Sequence, residues 1–154
     1  MAVEKSQRRY LLILSCSKRK RPDPGLLPAI ECYDGVNFRI LRKFMHGKLL
    51  SHLDVLIISA KYGLLEASAL IENYDEKLTR RRALELANEV SQKLDQHLSR
   101  GYLEVYINLG KLYWMTLSKS LLLPKVTVVF AYGGIGQKMS HMRTWLYKIR
   151  EERA

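Results

Sequence analysis

The stretch "LLILSCSKRKRPDP", residues 11–24, is the most informative about the fold. It begins with an apolar, strand-like run and continues into a cluster of positive charge. Its first five residues are apolar or small and do not alternate with polar ones, which is typical of a strand covered on both faces of a parallel sheet. Cys16, Ser17 and four cations follow directly. A thiol, hydroxyls and cations therefore meet at the end of a buried strand, where a parallel sheet binds its ligands.

The rest of the chain alternates strand-like runs with helical patterns. Apolar runs predict strands over residues 10–15, 54–59, 103–108 and 126–131. Apolar residues at helical spacing predict helices over 37–50, 79–98, 112–117 and 138–150, with Thr79 as N-cap of the second. Strands that alternate with helices indicate βαβ units. We therefore expect an α/β fold: one domain over residues 1–154, a central and mainly parallel sheet, helices on both faces, and frayed ends at 1–8 and 151–154.

The charge of the chain favours an anionic partner. Lys and Arg total 26 against 15 Asp and Glu, which gives a formal net charge of +11. This excess points to nucleic acid or to a phosphorylated or nucleobase small molecule, and a solubilising surface is the alternative explanation. No apolar run approaches the ~20 residues that cross a bilayer, and no signal peptide is recognisable. We expect a cytoplasmic protein that does not bind membranes.

The cysteine and histidine content argues against a structural metal. The chain has two cysteines, Cys16 and Cys32, which cannot form a four-thiolate zinc site. Its four histidines occur singly, without the spacing of metal ligands. We expect reduced thiols, no metal and no cofactor.

Each of the four predicted strands is followed by a glycine, a lysine or both, beside hydroxyl or amide groups. Parallel strands deliver the loops at their carboxyl ends to one edge of the sheet, and glycines there let backbone amides approach a ligand. The alternative is that loops are commonly rich in glycine and lysine. We expect a concave pocket for an anionic, hydrogen-bonding ligand, lined by Cys16, Ser17, Lys20, Ser59, Lys61, Tyr62, Gly63, Asn108, Gly133 and Gly134.

Three of these residues and one carboxylate suggest chemistry. Cys16 is the candidate nucleophile or acid because neighbouring cations favour the thiolate form. A buried structural cysteine is the alternative. Lys20 and Lys61 would hold an anion or activate a ring, and Asp75 is the candidate general base. We take Cys16, Lys20 and Asp75 as the candidate catalytic set.

Further cations are candidates for binding nucleic acid. Three arginines open the predicted helix over 79–98, where positive charge opposes the helix dipole. Either a bound phosphate or the preceding acids Asp75 and Glu76 would compensate them. The candidate nucleic-acid-binding residues are Lys18, Arg19, Arg21, Arg80, Arg81 and Arg82.

The motifs taken together resemble a known superfamily. They are CSKRK at 16–20, YDG at 33–35 with Phe38, ISAKYGLL at 58–65 with Ile71, YD at 74–75, and INLG at 107–110 with Tyr113. This order is similar to that of the YaaA-like superfamily, in particular its small stand-alone members of uncharacterised function. The resemblance covers most of residues 10–137 and implies an α/β fold with a positively charged cleft, as in YaaA, which is similar to a DNA-binding protein of the oxidative-stress response.

A looser similarity extends to the core domain of archaeosine synthase. That motif has a cysteine followed four residues later by a lysine, as Cys16 and Lys20 are here. The enzyme works on the nitrile of a cyano-deazaguanine base in tRNA. Two features differ: this chain is much shorter than YaaA, and Arg21-Pro22 follows Lys20 where archaeosine synthase has proline-tyrosine.

Two classes of function remain open at this point. The first is an enzyme that acts on a nucleobase or nucleoside, free or within nucleic acid, with Tyr62 stacking on or hydrogen-bonding the base. The second is a non-catalytic DNA- or RNA-binding module, in which the cations contact phosphates and Tyr33, Tyr62 and Tyr132 offer stacking faces. Such a module would serve a stress response or a DNA-modification or defence system. Clustering distinguishes the two, because chemistry requires the candidate residues to lie within a few ångströms of one another.

Overall fold

The computed structural model describes residues 9–18, 20–22, 25–45 and 52–153, with side chains as far as residue 150. In chain order its elements are β1 (Tyr10–Ser15), β2 (Leu26–Pro28), α1 (Ala29–Cys32), α2 (Val36–Met45), β3 (Leu53–Ser59), β4 (Gly63–Glu66), β5 (Leu70–Glu72), α3 (Arg80–Leu98), β6 (Glu104–Asn108), β7 (Val128–Phe130) and α4 (Ile135–Arg153). Two 3-10 helices, Lys111–Leu117 and Leu123–Lys125, lie between β6 and β7. No helix among these residues is long and apolar enough to span a membrane.

The described strands form a five-stranded, mostly parallel sheet in the order β4-β3-β1-β6-β7. The central strand β1 pairs in parallel with β3 and β6, and β6 pairs in parallel with β7. Only the edge strand β4 is antiparallel, because it returns from β3 through a short hairpin. β2 and β5 form a separate two-stranded antiparallel ribbon. The expected α/β fold with a central, mainly parallel sheet is therefore confirmed.

Helices cover both faces of the sheet, as expected. In β1, Leu12 and Leu14 pack with residues of α1, α2 and α4 on one face. Leu11 and Ile13 pack with α3 and the first 3-10 helix on the other face. All four leucine and isoleucine side chains are fully buried, which explains why this strand shows no polar alternation.

The observed element boundaries agree most closely with the predictions for β1 and α3, which have long, continuous patterns of buried residues. β1 has the predicted bounds, and α3 follows Thr79, whose Oγ1 accepts a hydrogen bond from the Arg82 amide at 3.1 Å. The strand expected over 126–131 is shorter because a 3-10 turn precedes it. The helix expected over 37–50 spans Val36–Met45, and positions 46–50 lie outside the described residues, as do 1–8 of the expected frayed ends. Helix α4 continues to Arg153.

Candidate functional site

The carboxyl ends of three neighbouring strands place polar side chains on one face of the sheet. Cys16 follows β1, Ser59 ends β3 and Asn108 ends β6. Cys16 continues the series of Leu12 and Leu14, which packs toward α1, α2 and α4. The same period of two applies along β3 and β6, so Ser59 and Asn108 share that face. We call this region, where β1, β3, β6 and β7 end, the C-terminal edge.

Cys16 contacts a tyrosine from a distant part of the chain. Its side chain is half-buried, and Sγ lies 3.0 Å from Oη of Tyr113 in the first 3-10 helix. Burial, and next the neighbouring Cys16, raise the pKa of Tyr113 well above its usual value. Tyr113 therefore keeps its proton at neutral pH and can donate it toward sulfur. A hydroxyl donor in that position stabilises negative charge on Sγ.

A chain of three hydroxyl groups lies beside the cysteine. Ser59 Oγ is 2.7 Å from Tyr74 Oη, which is 2.6 Å from Tyr33 Oη. Ser59 Oγ also accepts the backbone N–H groups of Lys61 and Tyr62, at 3.1 and 3.0 Å. These two accepted hydrogen bonds occupy both lone pairs of Ser59 Oγ. The Ser59 hydroxyl therefore donates its proton to Tyr74 Oη, and the Tyr74 hydroxyl donates to Tyr33 Oη.

Burial keeps this hydroxyl chain protonated. It is the largest cause of the raised pKa of Tyr33 and of Tyr74. Cys16 and Tyr74 both pack against the buried cluster that contains Tyr33, so the thiol and this chain lie on the same face of the sheet. The sequence motifs contain these tyrosines, but only the fold shows that they join Ser59 to the neighbourhood of Cys16.

Two lysine ammonium groups lie over the aromatic rings of the same cluster. Lys20 Nζ is 4.4 Å from the ring centroid of Tyr74 and 5.8 Å from that of Tyr33. Lys61 Nζ is 5.8 Å from the ring centroid of Tyr74 and 5.2 Å from that of Tyr62. No carboxylate in the described residues forms an ion pair with either lysine. Cation–π contact leaves much of each charge available to an anion.

Short local contacts hold the loop that carries Lys20. Lys20 forms an isolated antiparallel bridge with Tyr33, and the Arg21 amide donates to Cys32 O at 2.9 Å. Ser17 Oγ accepts the Gly35 amide at 3.1 Å. A Cβ at position 35 would lie 2.8 Å from the Ser17 Cβ, so this close approach requires glycine.

The turn after Tyr33 is fixed by an ion-pair cluster. Asp34 pairs with Arg39 at 2.9 Å and with Arg42 at 2.7 Å. The hydrogen bond from Arg39 is the main cause that lowers the pKa of Asp34 to about 2. Arg42 also donates to the carbonyl oxygens of Ile30 and Tyr33, both at 2.7 Å. These contacts hold the backbone of Tyr33, and with it the end of the hydroxyl chain.

The hairpin that carries Lys61 and Tyr62 connects β3 to β4. Gly63 pairs with Ser59 in the ladder and has a φ of +77°, a conformation that favours glycine. The ring of Tyr62 meets that of Tyr74 edge-on, with centroids 5.4 Å apart. The hairpin thus brings Tyr62 and Lys61 next to the tyrosines of the hydroxyl chain.

Arg82 has a structural role that the sequence did not reveal. Its Nε donates to Ala60 O and its Nη2 to Lys61 O, both at 2.9 Å. It also pairs with Glu76 and Glu85. Arg82 thus fastens the hairpin to α3, and its charge is matched by carboxylates. A bound phosphate is not needed to account for its place in the first turn.

The other cations expected to bind nucleic acid are dispersed. Arg21 lies 3.4 Å from Glu31, and Arg81 lies 3.7 Å from Glu85. Lys18 and Arg80 are exposed, whereas Arg19 lies outside the described residues. Arg81 is on the far side of the sheet from the helices α1, α2 and α4. The described cations of this set therefore do not all lie on the face of Cys16.

Three residues of the expected pocket, and the candidate base Asp75, make no polar contact with the cluster among the described residues. Asn108 is buried, with Nδ2 3.6 Å from Met142 Sδ of α4. Gly133 and Gly134 are exposed between β7 and α4, where Gln137 accepts the Gly134 amide at 3.0 Å. Asp75 is exposed on the segment before α3, and no hydrogen bond or ion pair in the described part of the chain involves it. Its role as a general base stays a prediction.

The cluster is chemically suited to an anionic, planar ligand. It combines one half-buried thiol, two ammonium groups, hydroxyl donors and tyrosine faces. Within the described residues no group of three or more His, Cys, Asp and Glu side chains could hold a metal ion. What the cluster can offer a ligand is charge, hydrogen bonds, stacking and a sulfur nucleophile.

Comparisons with known proteins agree on the fold. One solved structure, described as the crystal structure of AF0587, a protein of unknown function, is similar over 90% of this chain with a TM-score of 0.54 and 15% sequence identity. The match covers 44% of that protein, so this chain spans less than half of its length. No curated protein sequence matches. Residues 11–144 match the family of unknown function DUF6884, and the chain belongs to that family.

Proposed function

We propose that the protein binds a nucleobase or nucleoside, free or within a nucleic acid, at the C-terminal edge and reacts with it through Cys16. The observation that carries this proposal is the contact of Cys16 Sγ with Tyr113 Oη at 3.0 Å, beside the hydroxyl chain. Lys20 and Lys61 supply positive charge at the same place. The rings of Tyr62 and Tyr74 supply flat apolar surface.

The cluster supports addition of the thiol across a carbon–nitrogen multiple bond. The Sγ–carbon bond forms, one carbon–nitrogen π bond breaks, and the thiol proton ends on the nitrogen. The step is neither an oxidation nor a reduction and needs no further reactant. Tyr113 is in contact with Sγ and can pass the proton, and a lysine ammonium stabilises the charge that develops on nitrogen. The similarity to archaeosine synthase, which acts on a nitrile, supports this class of electrophile.

The test is covalent capture by intact-protein mass spectrometry. Nucleobases and nucleosides that carry a nitrile or a ring C=N bond are offered free and within oligonucleotides. We expect an adduct with the wild-type protein and none with Cys16→Ala. The matched control is Cys32→Ala, because Cys32 is the second thiol and is 1% exposed in the core. That control should keep the adduct.

A binding measurement completes this test. Cys16→Ala should hold the same compound within about tenfold of the wild-type affinity, or ~1.4 kcal/mol, because the lysines and tyrosines remain. An adduct that persists in Cys16→Ala, or no adduct with any compound of the panel, would contradict the enzyme proposal.

The second candidate function is a nucleic-acid-binding module without chemistry. It is favoured by the net charge of +11 and by exposed cations such as Lys18 and Arg80. If six phosphates are contacted, affinity for an oligonucleotide should fall by about a thousandfold between 50 and 200 mM salt. Fluorescence anisotropy across a salt series measures this. Salt-dependent binding without any Cys16 adduct would favour the module, and binding that ignores salt would exclude it.

A further inference from the structure

A groove between α2 and α4 has more positive charge than its own surroundings neutralise. It encloses about 210 Å³ and is lined by Ile40, Lys43, Phe44, Arg143, Leu146 and Tyr147. The two helices pack side by side on the face of the sheet opposite to α3. The groove lies outside the cluster around Cys16, since none of its lining residues belongs to that cluster.

The two helices are strongly basic over most of their length, and the acidic residues Glu151 and Glu152 occur only in the last turn of α4. Neither the segment 36–45 nor the segment 135–150 contains an acidic residue. Their cations are Arg39, Arg42, Lys43, Lys138, Arg143, Lys148 and Arg150. A large share of the net positive charge of the chain therefore lies on two adjacent helices.

Several of these cations have no anionic partner among the side chains that the structure describes, which end at residue 150. Arg39 and Arg42 pair with Asp34. Lys43, Arg143 and Lys148 are exposed, and no carboxylate of the described chain pairs with them. The contrast with α3 is clear, because its Arg81 and Lys93 each face a glutamate one turn away.

One further cation, Arg150, lies over two aromatic rings that line the groove. The Arg150 guanidinium lies 4.8 Å from the ring centroid of Phe44 and 4.7 Å from that of Tyr147. These two rings meet edge-on with centroids 5.6 Å apart. Stacking on rings orients the planar guanidinium without neutralising it, and such a guanidinium can still donate to a phosphate.

The length of the basic surface indicates an extended anion. Positions 138 to 150 of a helix cover about 18 Å at 1.5 Å per residue. One strand of a duplex rises about 3.4 Å per nucleotide along the duplex axis, so this length corresponds to the axial rise of several nucleotides. A membrane surface fits less well, because an interfacial helix exposes a broad apolar face. Here Ile40 is half-buried and Phe44 and Leu146 are buried, and the exposed lining residues are the cations Lys43 and Arg143 and the amphipathic Tyr147.

We propose that the α2–α4 groove binds the sugar–phosphate backbone of a nucleic acid, while the C-terminal edge receives one of its bases. This inference rests on the proposed function, since it names a polynucleotide as the form in which the base arrives. It assigns phosphate contacts to Lys43, Arg143 and Arg150, none of which belongs to the set expected from the sequence: Lys18, Arg19, Arg21, Arg80, Arg81 and Arg82.

The test compares charge removal at matched places. Lys43→Gln/Arg143→Gln neutralises two exposed cations of the groove, and Lys119→Gln/Lys125→Gln neutralises two exposed cations beyond the first 3-10 helix. Anisotropy with a fluorescent DNA or RNA oligonucleotide, single-stranded and duplex, is recorded across a salt series. Thermal unfolding confirms that both variants fold.

We expect the groove variant to bind at least about tenfold more weakly and to lose about one to two units from the slope of log affinity against log salt. The control variant should stay within about threefold of the wild type. Equal losses in the two variants, or a larger loss in Arg80→Gln/Arg81→Gln, would overturn the proposal.

Two further outcomes separate this inference from the proposed function. If wild-type protein binds oligonucleotides and the groove variant binds equally well, the groove proposal fails while the site at Cys16 stands. If wild-type protein binds no oligonucleotide, or binds anionic phospholipid vesicles instead, the groove proposal fails and the Cys16 adduct with free nucleosides decides the proposed function alone.

Discussion

The N-terminal and C-terminal edges of the sheet, where the parallel strands begin and end, differ in how their charged side chains are paired. At the N-terminal ends of the parallel strands, Asp54 accepts hydrogen bonds from Arg9 and from Tyr102, whose Oη is 2.7 Å away. At the C-terminal edge, Lys20 and Lys61 lie over tyrosine rings, without a described carboxylate as partner. The first edge neutralises its charge within the chain. The second leaves charge available for a ligand, which is where function is expected.

The pKa shifts of Asp54 at the N-terminal edge and Tyr74 at the C-terminal edge show the same contrast. Burial alone would raise the pKa of Asp54, but hydrogen bonds from Arg9 and Tyr102 outweigh it and lower that pKa. At the other edge burial raises the pKa of Tyr74, and no guanidinium opposes it. The N-terminal edge therefore contributes stability through a charge that is paired. The C-terminal edge keeps neutral hydroxyl donors close to a thiol.

The largest expected effect on stability comes from breaking the N-terminal edge. Asp54→Ala should lower the free energy of unfolding by about 2 kcal/mol, because Arg9 and the partly buried Tyr102 hydroxyl lose a charged acceptor. The pair is partly exposed, so the loss should be smaller than the 3–5 kcal/mol typical of a fully buried ion pair. Urea unfolding at pH 7 measures it. The matched control is Asp75→Ala at the other edge, which should change stability by less than about 0.5 kcal/mol.

The pH dependence of the same pair sharpens this comparison. A carboxyl with a lowered pKa in the folded state stabilises the fold fully above its unfolded value near 3.9, and this contribution is lost as the pH falls through the folded pKa. The difference between wild type and Asp54→Asn should therefore be largest at neutral pH and shrink below about pH 4. Asp34, with a pKa of about 2, titrates in both proteins and cancels. A difference that stays constant down to pH 2.5 would contradict the role of Asp54.

A smaller effect is expected from the hydroxyl chain at the C-terminal edge. Tyr74→Phe removes the hydroxyl that joins Ser59 to Tyr33 and leaves both without that partner. We expect a loss of about 1–1.5 kcal/mol in the free energy of unfolding. Tyr132→Phe is the control, because Tyr132 is 63% exposed, and it should be nearly neutral. Equal effects of the two changes would mean that the hydroxyl chain does not contribute to stability.

The smallest effect on stability is expected for the lysine of the hairpin. Lys61→Ala should change the free energy of unfolding by less than about 0.5 kcal/mol, since Lys61 is exposed and unpaired with any described carboxylate. It should weaken binding of nucleoside monophosphates at least about tenfold, which isothermal titration calorimetry measures. Lys119→Ala should change neither quantity. A stability loss as large as that of Asp54→Ala would show that the two edges do not differ in the way described.

The parts of the fold that were predictable are those in which burial is local and continuous. Residues 11–14 are fully buried along β1, and the stripe of α3 begins after a Thr79 N-cap, so pattern and structure agree. The strand β4 was missed, since GLLE at 63–66 is too short to show a period and reads as part of a loop. Its pairing with β3 depends on the tight hairpin at Lys61 and Tyr62, which is a matter of turn geometry.

The candidate site was predictable to the same limited degree. Parallel strands necessarily carry Cys16 and Ser59 to one edge, and the sequence contained both. The contacts of Cys16 and the hydroxyl chain were not predictable, because Tyr113 is 97 positions from Cys16, and Tyr74 is 15 positions from Ser59 and 41 from Tyr33. The contacts of Arg82 were not predictable either, since only the packed structure shows that it binds two backbone carbonyl groups.

By itself the sequence determined that this chain is an α/β domain with a thiol and cations at the carboxyl ends of buried strands. Burial on both faces, helix capping and the alternation of side chains are local properties, and local patterns record them. Tertiary structure alone decided the strand order, the hydroxyl chain from Ser59 to Tyr33, and the meeting of α2 and α4 that concentrates unpaired charge in one groove. These three features depend on which distant segments of the chain pack together. The free energy of that packing cannot be inferred from any short stretch of residues.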